Sequence, residues 1–171
     1  RDFLTAFIVG AGMAFVMHSS VATILMVVAI VSVGALPFSV GVSLLLGANM
    51  GSALIPVWLS RGMEPLAQRI PFANLILRGV AAVVALLVIN LTAITIIPPS
   101  WSDAQSLILV HIGFNGLLLL FLPFLSVLER PVSMMLPTPE EDVKAVPIQN
   151  QTVLNDIGGA NPTLALASLR H

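Results

Sequence analysis

The sequence predicts an all-α membrane protein built from a re-entrant helical hairpin, a broken transmembrane helix and two further transmembrane helices. Three observations carry that expectation. Hydrophobic residues make up 57% of the 171-residue chain and charged residues only 9%, where a soluble domain carries roughly 25% charged residues. Mean hydropathy is +1.02, and apolar runs recur at lengths near the ~20 residues that a spanning helix needs. Two of those runs are interrupted, at His18-Ser19-Ser20 and at Gly47-Ala48-Asn49-Met50-Gly51. The chain holds no cysteine, which excludes disulfides, thiolate chemistry and cysteine-ligated metals. A net charge of −1 gives no basis for a nucleic-acid partner.

Residues 3–17 are apolar, His18-Ser19-Ser20 breaks the run, and residues 21–36 continue it. Each arm covers only about 23 Å, short of the ~30 Å hydrocarbon core. Residues 3–36 as one rod would be too long to cross without strong tilt. A re-entrant hairpin with its tip at His18-Ser19-Ser20 is the preferred alternative. The run does not read as a cleaved signal peptide, since further membrane segments follow it. Opening on Arg1 and stopping at His171, the chain reads as a segment of something larger.

Pro37 suits a helix start, because its missing N–H costs nothing in a first turn. Residues 38–60 are long enough to cross, with the Gly47–Gly51 cluster predicted to break them and Pro56 following. Residues 61–69 form a polar connection carrying Arg61, Glu64 and Arg69, and residues 71–97 a further span. Residues 98–103 are a short turn whose Trp101 suits the interface, and residues 104–128 cross back. The transmembrane part is thus 1–130. Residues 131–160, rich in proline, acidic and amide side chains, read as an exposed linker. In 161–171, Asn161-Pro162 looks like the start of a truncated helix. Arg61, Arg69, Arg130 and Lys144 flank one loop and the tail, whereas the 98–103 turn has no positive charge. The positive-inside rule then puts the 61–69 loop and the tail in the cytoplasm. The hairpin would enter from the external face.

No carboxylate lies within a span, which removes the usual titrating group of a proton-coupled site. Na⁺, a hard cation, is satisfied by neutral hydroxyl, amide and backbone oxygens, which two breaks in neighbouring segments would supply. The N–H groups opening the second half of a broken helix favour an anion. A cation and an anion could then sit side by side without formal charge from the protein. Structural readings stand beside these. Lone serines such as Ser32 and Ser43 bond back to their own backbone, and Gly47-x-x-x-Gly51 marks close helix packing. Arg78, close after Arg69, reads as a side chain snorkelling to the cytoplasmic boundary in preference to a substrate ligand. His111 and Asn115, one turn apart on one face, make a helix–helix hydrogen bond. A serine hydrolase is disfavoured: His18 cannot readily reach its own neighbour's hydroxyl, and no nucleophile elbow is present.

"MHSSVA" at 17–22, "LGANMGSAL" at 46–54 and "LVHIGFNGLLLLFLPF" at 109–124, in that order, resemble the sodium/phosphate cotransporter family. "NPTLALASLR" at 161–170 is similar to the opening of the PhoU-like cytoplasmic domain of bacterial members. The resemblance implies half of an inverted-repeat transporter, its second repeat, with a Gln-Ser-Ser-Ser-type hairpin and a Gly-Ala-Asn-x-Gly broken helix. It implies Na⁺:phosphate symport by alternating access in a bacterial inner membrane, with a cytoplasmic tail and no enzymatic step. Ser19, Ser20 and Asn49 are the implied Na⁺ candidates. His18, Thr23, Gly47, Ala48, Gly51 and Ser52 complete the implied substrate and ion site. Na⁺ is the coupling ion and no other cofactor is implied. The implied partners are inorganic phosphate, lipid, and either the missing first repeat or a second copy of the chain. His18 stands where glutamine is usual and Val21 where a third serine is usual, so one hydroxyl is missing from this half. The alternatives are a non-transporting anchor or phosphate sensor, and a carrier of another oxyanion.

Overall fold

The computed structural model describes residues 2–92, 100–124 and 126–137. Contact clustering divides the chain into Arg1–Leu136 and Pro137–His171. The linker and truncated helix expected after residue 137 lie outside the described residues, as does the first part of the 98–103 turn. The described part is all-helical: α1 Asp2–Met17, α2 Ser20–Ser32, α3 Phe38–Leu59, α4 Pro65–Thr92, α5 Asp103–Leu120, a 3-10 turn Leu122–Phe124, and α6 Ser126–Met135. Three of these, α3, α4 and α5, are long and apolar enough to cross a membrane, whereas α1 and α2 are shorter. At 22 residues α3 extends about 33 Å, close to the hydrocarbon thickness.

The chain breaks at His18-Ser19, as the sequence suggests. His18 takes φ 50°, in the left-handed region that a side chain rarely enters and that ends a helix. Its Nδ1 donates to the Val16 carbonyl at 3.1 Å. Ser19 then caps α2, its Oγ accepting from Ala22 N at 3.1 Å. Thr23 Oγ1 donates back to the Ser19 carbonyl at 3.0 Å, tying the cap to the next turn. Phe15 meets Trp58 edge-on with ring centroids 6.0 Å apart, near the C-terminal ends of α1 and α3. At the other end, Val31 of α2 lies against Gly41 near the start of α3. So α1 runs in the direction of α3, and α2 returns.

One expectation is corrected. The interruption of α3 at Gly47-Ala48-Asn49-Met50-Gly51 is absent, and the helix is continuous from Phe38 to Leu59. The glycines serve contact with α1: a Cβ on Gly47 would overlap the Phe7 carbonyl, and one on Gly51 the Ala11 carbonyl. Gly10 of α1 meets the Leu44 carbonyl in the same way. Two helices without side chains at the contact approach backbone to backbone, the small-residue packing favoured where lipid offers no hydrophobic drive. Leu45, Leu46, Leu86 and Leu107 fill the core beside this seam.

Two boundaries also shift. The helix α4 begins at Pro65, inside the stretch read as a connection, and carries Arg69 in its early turns. The helix α6 continues through Glu129-Arg130-Pro131 to Met135, so part of the expected linker is helical. Arg69 Nη2 and Nε donate to the Leu136 carbonyl at 3.1 and 3.3 Å, satisfying an acceptor just past the end of α6. A capping box opens α5, with Ser102 and Gln105 each bonding the other's backbone N–H. Replacing Ser102 with alanine is expected to cost about 1 kcal/mol, read as a small drop in thermal stability in detergent.

Candidate functional site

Two polar groups occupy different levels of the bundle. The first is the hairpin tip. His18 is exposed and stacks on Phe15 with centroids 6.2 Å apart. Ser19 and Ser20 are half-buried, and Thr23 is fully buried. The Ser20 hydroxyl makes no hydrogen bond to another described residue, whereas Ser19 and Thr23 are engaged in the cap. The N–H groups of Ser20 and Val21 precede the ladder of α2, as in any helix start. Beside the tip, the Arg61 guanidinium lies 4.0 Å over the Trp58 ring, a cation–π contact.

The second group lies mid-bundle, where α3, α4 and α5 meet. Arg78 Nη2 donates to Asn115 Oδ1 at 3.1 Å and Nη1 to Asn49 Oδ1 at 3.5 Å. Asn115 Nδ2 faces His111 Nδ1 at 3.3 Å, and Asn49 Nδ2 faces it at 3.5 Å. The polarity of this network follows from its donors. A guanidinium only donates, so both amide oxygens turn to Arg78, and Asn49 Oδ1 also accepts from Asn115 Nδ2 at 3.5 Å. The two nitrogens both lie within reach of His111 Nδ1, whose single lone pair can accept from one of them when Nδ1 carries no proton. That assignment rests on the bonding pattern. Asn49 and Asn115 are each anchored further, through Nδ2 to the Leu45 carbonyl at 3.0 Å and the His111 carbonyl at 2.9 Å.

Arg78 was expected at the boundary and is found inside. It stands midway along α4, Pro65–Thr92, about 20 Å from the helix start. That is too deep for a side chain that must reach the same interface as Arg69. The distance along the sequence was the available signal. His111 and Asn115 do bridge helices, as their shared face suggested. Among the described residues, Glu64, Asp103 and Glu129 lie near helix ends, and Arg78 has no carboxylate partner. A cavity of 180 Å³ opens beside it, lined by Asn74, Leu77, Arg78, Asn115, Leu118 and Leu119.

Of the substrate and ion candidates named from sequence, only Asn49 joins this network. Gly47 and Gly51 face the α1 backbone, Ala48 is buried in the core, and Ser52 Oγ bonds the Asn49 carbonyl at 2.9 Å. Among the described residues no hydrogen bond joins the hairpin tip to the Asn49 network, and no cluster of His, Asp or Glu is arranged for a metal ion.

Three helices long and apolar enough to cross a membrane, packed around an arginine held by neutral amides, mark a membrane protein. Residues 1–126 match the family described as Na+/Pi-cotransporter, and the chain belongs to that family. Over 169 residues, 98% of the chain, it is 28% identical to the "Putative inorganic phosphate export protein YjbB" of Escherichia coli K12. The proteins of the same name from Shigella flexneri and Salmonella typhimurium LT2 are 28% and 25% identical over the same length. The chain spans 30% of the length of these curated relatives. No solved structure matches it.

Proposed function

We propose that the chain forms one side of the path of a sodium-coupled inorganic phosphate carrier that works by alternating access. The observation that carries the reading is Arg78, a membrane-embedded cation paired with two amide oxygens and no carboxylate. A buried charge is tolerated when something of opposite sign meets it, and an intramembrane arginine facing a bundle interior marks an ion path. The anion is phosphate, in keeping with the family and with the names of the relatives.

The coupling ion is Na⁺, with Ser19 and Ser20 as its ligands at a tip that re-enters from the face where α3 begins. Asn49 Oδ1 already receives Arg78, so the hydroxyls and the carbonyls around the break are better oxygen donors for the cation. The membrane is a bacterial inner membrane, the loop bearing Arg61 and the tail are cytoplasmic, and the opposing wall is a first inverted repeat or a second copy. Net direction follows the gradients.

Uptake of radiolabelled phosphate into proteoliposomes of the intact protein, with sodium or choline outside, tests the reading. Sodium is expected to drive accumulation. Ser20→Ala removes a hydroxyl that bonds nothing in the fold. It is expected to raise the half-saturating sodium concentration about tenfold, the loss of roughly one good ligand bond, with thermal stability unchanged. Sodium-independent uptake would refute the coupling, and an unaltered sodium requirement in Ser20→Ala would refute the ligand assignment.

A further inference from the structure

The asparagines of the membrane helices behave alike, with one exception. Asn49, Asn90 and Asn115 each donate to the carbonyl four residues earlier, at 3.0, 2.8 and 2.9 Å. That bond satisfies part of the amide where lipid offers nothing. Asn74, in α4 between Asn49's partner Arg78 and the helix start, makes no side-chain hydrogen bond to any described residue. It lines the 180 Å³ cavity beside Arg78 and also the 520 Å³ groove that extends toward Arg69 and Glu129. Four residues before Arg78, it shares that residue's face of the helix. Its amide atoms are open to the cavity and not buried, so they are available to the cavity's occupant.

The rest of the wall says what the occupant needs from it. Arg78 has five N–H donors and no acceptor, and two of the five are spent on Asn49 and Asn115. Asn115 gives its oxygen to Arg78 and its nitrogen to His111 and to Asn49 Oδ1. The leucines offer no polar atom. The uncommitted groups are therefore the remaining guanidinium N–H donors and the Asn74 amide, whose Oδ1 is the uncommitted side-chain acceptor. Sulfate near neutral pH carries only acceptor oxygens and is served by donors alone. Phosphate and arsenate carry at least one hydroxyl, whose proton must find an acceptor.

We propose that Asn74 is the specificity residue of this site: its carbonyl oxygen accepts the hydroxyl proton of a protonated tetrahedral oxyanion, selecting phosphate and arsenate over sulfate. The Asn74 nitrogen donates to a second oxygen of the same anion while Arg78 neutralises its charge. This inference rests on the Arg78 anion site proposed above and adds the discrimination that donors alone do not provide. A polar group that reads a hydroxyl separates ligands more sharply than an apolar pocket does, because the mismatched partner leaves a desolvated group unpaired.

The test is phosphate uptake by the intact protein in proteoliposomes, with sulfate and arsenate as competitors, in Asn74→Leu and Asn74→Ala. Leucine nearly conserves volume and alanine opens space, so a shift common to both reports the lost amide, and the excess of the phosphate shift over the sulfate shift reports its acceptor. In both variants the half-saturating phosphate concentration is expected to rise about tenfold, arsenate inhibition to weaken in parallel, and sulfate inhibition to weaken less, since sulfate loses only the amide donor. Equal shifts for phosphate and sulfate, or none, overturn the inference, as does arsenate failing to follow phosphate. Arg78→Gln separates the two levels. If it abolishes phosphate recognition while Asn74 variants keep normal selectivity, only the role of Asn74 fails. If it leaves phosphate unaffected, the anion site fails and this inference with it.

Discussion

Arg78→Gln is expected to weaken phosphate binding by about a hundredfold or more, while leaving the bundle as stable as before or more so. The two halves of that expectation have one physical source. An ionised donor bonds an anion by roughly 3 kcal/mol more than no partner does, which is two decades in affinity. The same charge is costly inside the bundle while no anion is present, because desolvation is only partly offset by Asn49 and Asn115 at 3.5 and 3.1 Å. Glutamine removes both effects. Phosphate titration and thermal unfolding of the same preparation check them together. Loss of binding accompanied by loss of stability would instead make Arg78 a structural tie. Arg78→Lys is expected to fall between, since an ammonium keeps the charge and loses the fork that engages two amides at once.

The second large effect concerns the α1–α3 seam. Gly47→Val is expected to destabilise the bundle by about 3 kcal/mol or more, because extra atoms have no unoccupied volume to enter. Its Cβ would fall on the Phe7 carbonyl, which belongs to a helix backbone and cannot rotate aside. Gly12 supplies the control. It sits on the same α1 helix with open space at its Cβ position, so Gly12→Ala is expected to gain up to about 1 kcal/mol of helix propensity. Thermal unfolding in detergent, and the yield of monodisperse protein, distinguish the two directions. Equal tolerance of both substitutions would mean that the helices are not in backbone contact.

The membrane class and the break at His18-Ser19 were legible because both are local. Composition reports the solvent a chain is built for, and the polar His18-Ser19-Ser20 cluster interrupts two short apolar arms. The Ser19 cap then follows from residues within one turn. The cluster at Gly47–Gly51 carries two readings in the sequence, a break and a packing seam, for an instructive reason. Two glycines around an asparagine are compatible with a broken helix and with a continuous helix pressed against a neighbour. Only the presence of Phe7, Gly10 and Ala11 across the seam separates the two. Ser52, named as a ligand, donates its hydroxyl proton to the Asn49 carbonyl, which leaves its oxygen lone pairs as acceptors.

The sequence by itself determined the solvent, the all-helical class, the place where the first helix must stop and the absence of buried acids. Each depends on composition or on residues a few positions apart. Tertiary structure decided which polar residues meet. Asn49, Arg78, His111 and Asn115 come from three helices and share one hydrogen-bonded network only because α3, α4 and α5 cross at that level. A hydrogen bond depends on distances of a few tenths of an ångström, and spacing along the chain carries no such information between helices.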